Sequence, residues 1–227
     1  MKIANGVEML ELKTDVTGHQ MTLHPSLVWD SDNVVLIDAG VPGQADQIRA
    51  EMEKAGVSFD KLTTVILTHQ DFDHIGSLPE IIQQSKNKIE VIAHEADKPY
   101  IEGEKLLMKM DRERAEKMTP PKAKVDKTVA DQEELPYCGG IKVIYTPGHT
   151  PGHISLYLEK SKTLITGDAI VSENGRLIGP NPPFTPDMDL ALQSIKKFTE
   201  YDIQSVICYH GGLCTDNVNQ QLRDIVK

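Results

Sequence analysis

Residues 67 to 77 read LTHQDFDHIGS, and two histidines and two aspartates fall within His69 to His74. Imidazole and carboxylate are the side chains that bind zinc, iron or manganese. In extended backbone alternate side chains share a face. His69, Asp71 and Asp73 are therefore expected to point one way and His74 another, so that one loop serves two neighbouring metals. A solvated charged turn would explain neither the apolar run TTVIL that feeds the loop nor the tight interleaving of His and Asp.

One loop cannot complete a metal site. Three further places set polar groups at the ends of apolar runs: TPGHTPGH with His149 and His153, LITGDAI with Asp168, and VICYHGG with His210. An acidic residue or a histidine after a buried β run is costly unless it is paired or metal-bound. Four such strand ends in one chain are hard to explain as solvated turns.

The elements that must position these groups are short. NVVLIDAG, which ends in Asp38 and Gly40, TTVILT and KIEVIAH read as buried strands. GQADQIRAEMEKAG reads as a helix stopped by Gly56, and IGSLPEIIQQS as another. In the second half GGIKVIYTPG, HISLYLEK and KTLITGDAIV read as three strands and QSVICYHGG as a fourth. TPDMDLALQSIKKF reads as a helix capped by Thr185 with Pro186 first, and CTDNVNQQLRDIV as a closing helix. Strands followed by a helix recur, which predicts two sheets packed together with helices outside. Residues 95 to 121 differ. They are charged and Met-rich, with Leu106, Leu107, Met110 and Met118 at roughly helical spacing. An amphipathic helix packed on the body is expected there, or one that roofs a substrate pocket, as adaptable methionines can.

At 227 residues, 39% hydrophobic and 26% charged, the chain suits one globular domain spanning 1–227. A net charge of −10 argues against nucleic acid or an anionic membrane as the main partner. The cysteines, Cys138, Cys208 and Cys214, are odd in number and form no CxxC pair, as in a reducing cytoplasm. The start MKIANGVEML has no signal-like apolar core, and no run approaches the ~18 apolar residues of a membrane span. We expect a complete cytoplasmic protein acting on a small molecule, with no nucleic-acid or membrane partner; a homodimer stays open.

THQDFDH, TPGHTPGH, TGDA and YHGG, in this order and preceded by LIDAG, resemble the motifs of the metallo-β-lactamase-fold hydrolase superfamily over nearly the whole chain. The resemblance implies an α/β fold, a four-layer αββα sandwich of two mixed sheets with helices on the outer faces and metals at one edge. It implies two divalent metal ions, the first held by His69, Asp71 and His149, the second by Asp73, His74 and His210, with Asp168 bridging. His153 and Asp38 would support these ligands, since a metal-bound imidazole needs an acceptor on its other nitrogen.

The family's usual loop is HxHxDH and this chain has HxDxDH. Four neutral imidazoles and three carboxylates against two divalent ions leave one net positive charge, where a histidine at 71 would leave two. A less positive site acidifies bound water less, and an added carboxylate favours harder metals. Zinc is the first expectation, with manganese or iron credible beside it.

The implied chemistry is hydrolysis. A hydroxide held between two metals attacks an ester, thioester or lactone carbonyl, and Asp73 shuttles a proton to the leaving group. Hydroxyacylglutathione hydrolases carry a longer C-terminal part than the stretch after YHGG. Acyl-lactonases commonly have tyrosine where Val171 stands, and true β-lactamases carry a secretion signal. None of these subtypes is favoured. Asp71 also resembles the carboxylate of flavodiiron proteins, so an iron-dependent redox enzyme, diiron or persulfide-dioxygenase-like, is the main alternative, and a non-catalytic metal-binding protein the second. Phe184 in NPPFTP and His94 at a strand end are candidates to touch substrate. His19 and His24 read as isolated, and Trp29 and Cys208 as core.

Overall fold

The computed structural model describes residues 1–16, 19–117 and 119–227. The first half builds β1 (Lys2–Ala4), β2 (Val7–Met9), β3 (Leu12–Val16), β4 (His19–Leu23), β5 (Ser26–Trp29), β6 (Val34–Ile37), β7 (Thr64–Ile66), β8 (Glu90–His94) and β9 (Lys127–Val129). Among them run helices α1 (Ala45–Lys54), α2 (Phe72–Ile75), α3 (Leu78–Gln84), α4 (Lys98–Ile101) and α5 (Arg112–Lys117). The second half builds β10 (Glu134–Leu135), β11 (Ile141–Tyr145), β12 (Ile154–Leu158), β13 (Thr163–Ile165), β14 (Val171–Glu173), β15 (Arg176–Gly179), β16 (Ser205–Cys208) and β17 (Gly212–Cys214), with helices α6 (Met188–Lys196) and α7 (Val218–Ile225).

One seven-stranded sheet runs β1-β2-β5-β6-β7-β8-β9 and one six-stranded sheet β10-β11-β12-β13-β16-β17; β3–β4 and β14–β15 are separate pairs. Strand alternation produces the layers. In β6, Val35 and Ile37 meet Ile154, Leu156 and Ile207 of the other sheet, while Val34 and Leu36 face Ile48, Met52, Leu78 and Ile81 of α1 and α3. On the far side, Leu164 and Val206 pack on Ile195 of α6 and on Val218 and Leu222 of α7. Three apolar seams between four layers give an αββα sandwich, as the resemblance implied. No described helix is long and apolar enough to cross a membrane.

Topology decides where the polar groups emerge. Strands β6, β7, β8 and β9 are mutually parallel, and β13 is parallel to β16. Their C-terminal ends therefore open on shared edges, where sites in α/β sheets form. The two sheets are stitched there by Ile154 N–H donating to the Thr68 carbonyl at 2.9 Å.

Three expectations need correction. The 95–121 segment is not one amphipathic helix. It folds as α4 and α5 with irregular chain between them; Pro99 lies in the first turn of α4, where proline is tolerated, and Gly103 at φ +76° turns the chain just past its end; Met118 lies outside the described residues. KTLITGDAIV is not one strand. Gly167 at φ +52° turns the chain out of β13, and β14 begins a separate pair. Thr185 does not cap α6. Asp187 does, its carboxylate accepting from Leu190 N–H at 2.9 Å, while the Thr185 hydroxyl donates to the Asn181 carbonyl.

Candidate metal centre

The structure brings together all seven residues singled out as ligands. They form two groups whose candidate ligand atoms lie within 4.8 Å of one another: His69, Asp71, His149 and Asp168, and Asp73, His74 and His210. The extended-backbone expectation fails after Asp71, because α2 starts at Phe72. One helical turn puts Asp73 and His74 together, and Asp71 stands at the N-cap position without capping, its side chain committed to the cluster.

Asp168 joins the groups. Its Oδ1 lies 3.2 Å from His74 Nε2, and its Oδ2 lies 3.4 Å from His149 Nε2 and 3.3 Å from His210 Nε2. Asp71 Oδ2 sits 3.3 Å from His69 Nε2 and 3.0 Å from His149 Nε2. Asp73 Oδ2 is 3.2 Å from His210 Nε2 and 3.9 Å from His74 Nε2. Imidazole nitrogens and carboxylate oxygens thus point at common centres. Among the described residues, six buried side-chain polar atoms have no aligned hydrogen bond, and five of them belong to this cluster: His69 Nε2, Asp71 Oδ1, His74 Nε2, His149 Nδ1 and Asp168 Oδ1. Buried polar atoms are normally satisfied. Orphans concentrated where donors of metal-ligand type converge fit divalent ions, and this is what the cluster can hold.

Electrostatics divide the groups. Burial works against protonating His74, but the carboxylates of Asp168, Asp38 and Asp73 outweigh it and raise its pKa well above the ordinary imidazole value. Burial is likewise overcome at His210, pushed up to about 10 by Asp168 and Asp73. His69 goes the other way, lowered by burial and by neighbouring His74. Burial opposes ionisation of Asp71, yet His69, His149 and the Lys109 ammonium hold its carboxyl well below the usual range. Asp168 is held well below it too, against burial, by His210 and His74.

The supporting residues explain the precision. Asp38 adopts φ +64°, a conformation costing about 1 kcal/mol or more outside glycine. In return its buried carboxylate accepts from Thr68 N–H and hydroxyl, both at 2.8 Å, and lies 2.9 Å from His74 Nδ1, orienting that ring. His153 accepts the Asp168 N–H on Nε2 at 3.0 Å and pairs Nδ1 with the Thr146 hydroxyl at 2.8 Å, so both its nitrogens are engaged in placing Asp168. A Cβ on Gly167 would come within 2.9 Å of His153 and Thr68.

Several residues escaped the sequence reading. Asp97, fully buried, accepts from Gln70 N–H and Nε2, Thr150 hydroxyl and Gly152 N–H at 2.7 to 3.0 Å, tying the loop of His69 to the loop of His149. Tyr209 lays its ring 3.7 Å from that of His74 and donates its hydroxyl to the Asp73 carbonyl. His24 is not isolated; its Nδ1 lies 3.1 Å from the Tyr209 carbonyl. Lys109 reaches Asp71 and His149 from the 95–121 segment. None follows an apolar run with a catalytic-looking spacing; only the strand end before Asp97 hinted at it. Among the described residues neither Phe184 nor His94 belongs to the two groups. Phe184 is 56% exposed on a short 3₁₀ turn, and His94 stacks on Tyr145 at 4.3 Å.

Known proteins agree with this architecture. The probable metallo-hydrolase YflN of Bacillus subtilis is 31% identical over 199 residues, 78% of this chain and 75% of that protein. The metallo-beta-lactamase fold-containing protein ST1585 of Sulfurisphaera tokodaii is 32% identical over 201 residues, 82% and 72% of the two chains. The crystal structure of the metallo-beta-lactamase family protein TTHA1429 from Thermus thermophilus superposes with a TM-score of 0.76 at 21% identity, covering 99% of this chain and 79% of that one, which speaks to the fold. The family model of the metallo-beta-lactamase superfamily matches residues 24–210, a span that runs through every candidate ligand, and the chain belongs to that superfamily.

Proposed function

We propose that this protein is a metal-dependent hydrolase of ester, thioester or lactone bonds. The observation that carries the reading is the Asp168 carboxylate set between two His/Asp groups, each with orphaned buried ligand atoms. His69, Asp71 and His149 would hold one divalent ion and Asp73, His74 and His210 the other, with Asp168 common to both. Such ions supply a water acidified towards neutral pH and an electrophile for a carbonyl oxygen.

The chain's own groups do the rest. Asp38, through Thr68 and His74, and His153, through Asp168 N–H, fix ring and carboxylate orientations. Asp73 has the most exposed carboxylate of the cluster, its side chain 29% accessible against 11% for Asp71 and 10% for Asp168. It would meet incoming substrate and carry a proton to a leaving alkoxide or thiolate. Zinc fits the four imidazoles, and the three carboxylates also accommodate manganese or iron.

Elemental analysis of purified protein, followed by an ester, thioester and lactone panel with zinc, manganese or iron restored in turn, tests the reading. Metal content with turnover in at least one class supports it. Iron with oxygen consumption and no turnover of any acyl substrate would move the assignment to redox chemistry, the reading that Asp71 keeps alive.

A further inference from the structure

Lys109 Nζ lies 2.5 Å from Asp71 Oδ2 and 2.5 Å from His149 Nε2, atoms that are themselves 3.0 Å apart. An ammonium in that position sits where a cation bound to both atoms would sit. Metal–ligand bonds to these atom types run about 2.0–2.2 Å, so an ion on the same two donors would overlap Nζ. The lysine is delivered rather than adrift. Met108 N–H, one residue before it, donates to Gln70 Oε1 at 2.9 Å, and Gln70 is itself held twice by Asp97. Leu107 is buried, and Met110 N–H closes a turn on its carbonyl at 2.9 Å. The Lys109 side chain is 25% exposed, which leaves its long stem room to withdraw towards solvent.

Charge points the same way. Asp71 adds a negative charge where the family's common loop has a neutral imidazole, and Lys109 returns a positive one to the same oxygen. Among the described residues, no lysine or arginine pairs with Asp73, Asp168 or the histidines of the other group. The two groups therefore differ in the cation they already contain.

We propose that Lys109 and a divalent metal ion are alternative occupants of the His69–Asp71–His149 donor set, so that an ion enters this set only as Lys109 withdraws. The inference rests on reading the cluster as a metal centre. The segment 107–110 is then a built-in counter-ion that sets metal stoichiometry.

The test is a metal titration of the full-length, metal-free chain with zinc and with manganese, followed by competition with a chromophoric chelator and by elemental analysis after dialysis. Wild type should take two ions, one of them against Lys109. Lys109→Met should tighten one binding step by about tenfold or more and leave the other unchanged, an effect within the range that residues around a metal site impose, while Lys109→Arg should keep both steps as in wild type. Lys109→Gln serves as the second uncharged variant, and circular dichroism melts establish that each variant folds. Unchanged affinities in both uncharged variants, or a binding step that weakens in them, would overturn the role of Lys109 while leaving the metal centre intact. Absence of metal binding in every variant would overturn the metal centre itself, and the inference with it.

Discussion

The two halves of the centre use the same ligand chemistry in different electrostatic surroundings. The Asp73–His74–His210 group has carboxylates on its imidazoles and no ammonium among the described residues, and both imidazoles are drawn towards the protonated state. The His69–Asp71–His149 group has an ammonium on its carboxylate and a His69 pushed towards the neutral state. Protons stand in for a metal in one group, a lysine in the other. Ligand type alone therefore does not set metal occupancy; what already neutralises the carboxylates does.

The largest expected effect removes the comparison altogether. Asp168→Ala deletes the carboxylate whose oxygens face histidines of both groups. Both metal affinities should fall by more than about 100-fold, beyond what loss of a mere supporting contact produces, and hydrolysis should fall with them. Elemental analysis beside activity measures this. Loss of metal from one group only would mean that Asp168 does not serve both.

Next comes a change that strikes the first group harder. Asp97→Ala strips the partner from four donors on the His69 and His149 loops. Buried donors left unpaired cost about 1–3 kcal/mol each, so the fold should lose about 3 kcal/mol or more. Urea unfolding measures the loss, and metal titration should show the binding step that Lys109→Met tightens suffering more than the other. Equal weakening of both would show that the Asp97 network holds the centre as one unit.

Asp71→His probes the substitution that sets the two groups apart. It removes the carboxylate that faces Lys109 and restores an imidazole. Zinc uptake relative to manganese from an equimolar mixture should rise several-fold. An unchanged ratio would show that Asp71 does not bind metal directly.

These residues also show what could be read in the sequence. His69, Asp168 and His210 lie just after strand ends, where an apolar run followed by an unpartnered polar group is legible to a physical argument, and the order of motifs carried the superfamily and the αββα layering. Asp97 and Lys109 were not legible. Asp97 acts through backbone N–H groups of Gln70 and Gly152, which leave no trace in residue type. Lys109 is one of many charges in the 95–121 segment, and its meaning depends on a chain path that two short helices and an irregular stretch define. The charge count read from HxDxDH applies to the metal-loaded site; in the metal-free chain Lys109 compensates the extra carboxylate.

The smallest effect sharpens the comparison through protons. In the metal-free chain the pKa values of His74 and His210 are raised above the ordinary imidazole value of 6.5 by the carboxylates around them, and that of His69 is lowered below it by burial. A folded-state pKa that is raised stabilises the metal-free fold below pH 6.5, and this contribution is lost as pH rises through about 10 for His210. Metal entering the second group must expel protons from those imidazoles, so its affinity should keep climbing with pH towards that value, whereas His69 adds no such slope above 6.5. Calorimetric titration of wild type at pH 7, in two buffers of different ionisation enthalpy, reads the difference. The binding step that Lys109→Met leaves unchanged should release about one to two protons per ion and the other step fewer. Equal release in the two phases would mean that the groups differ in the lysine alone and not in the protons they carry.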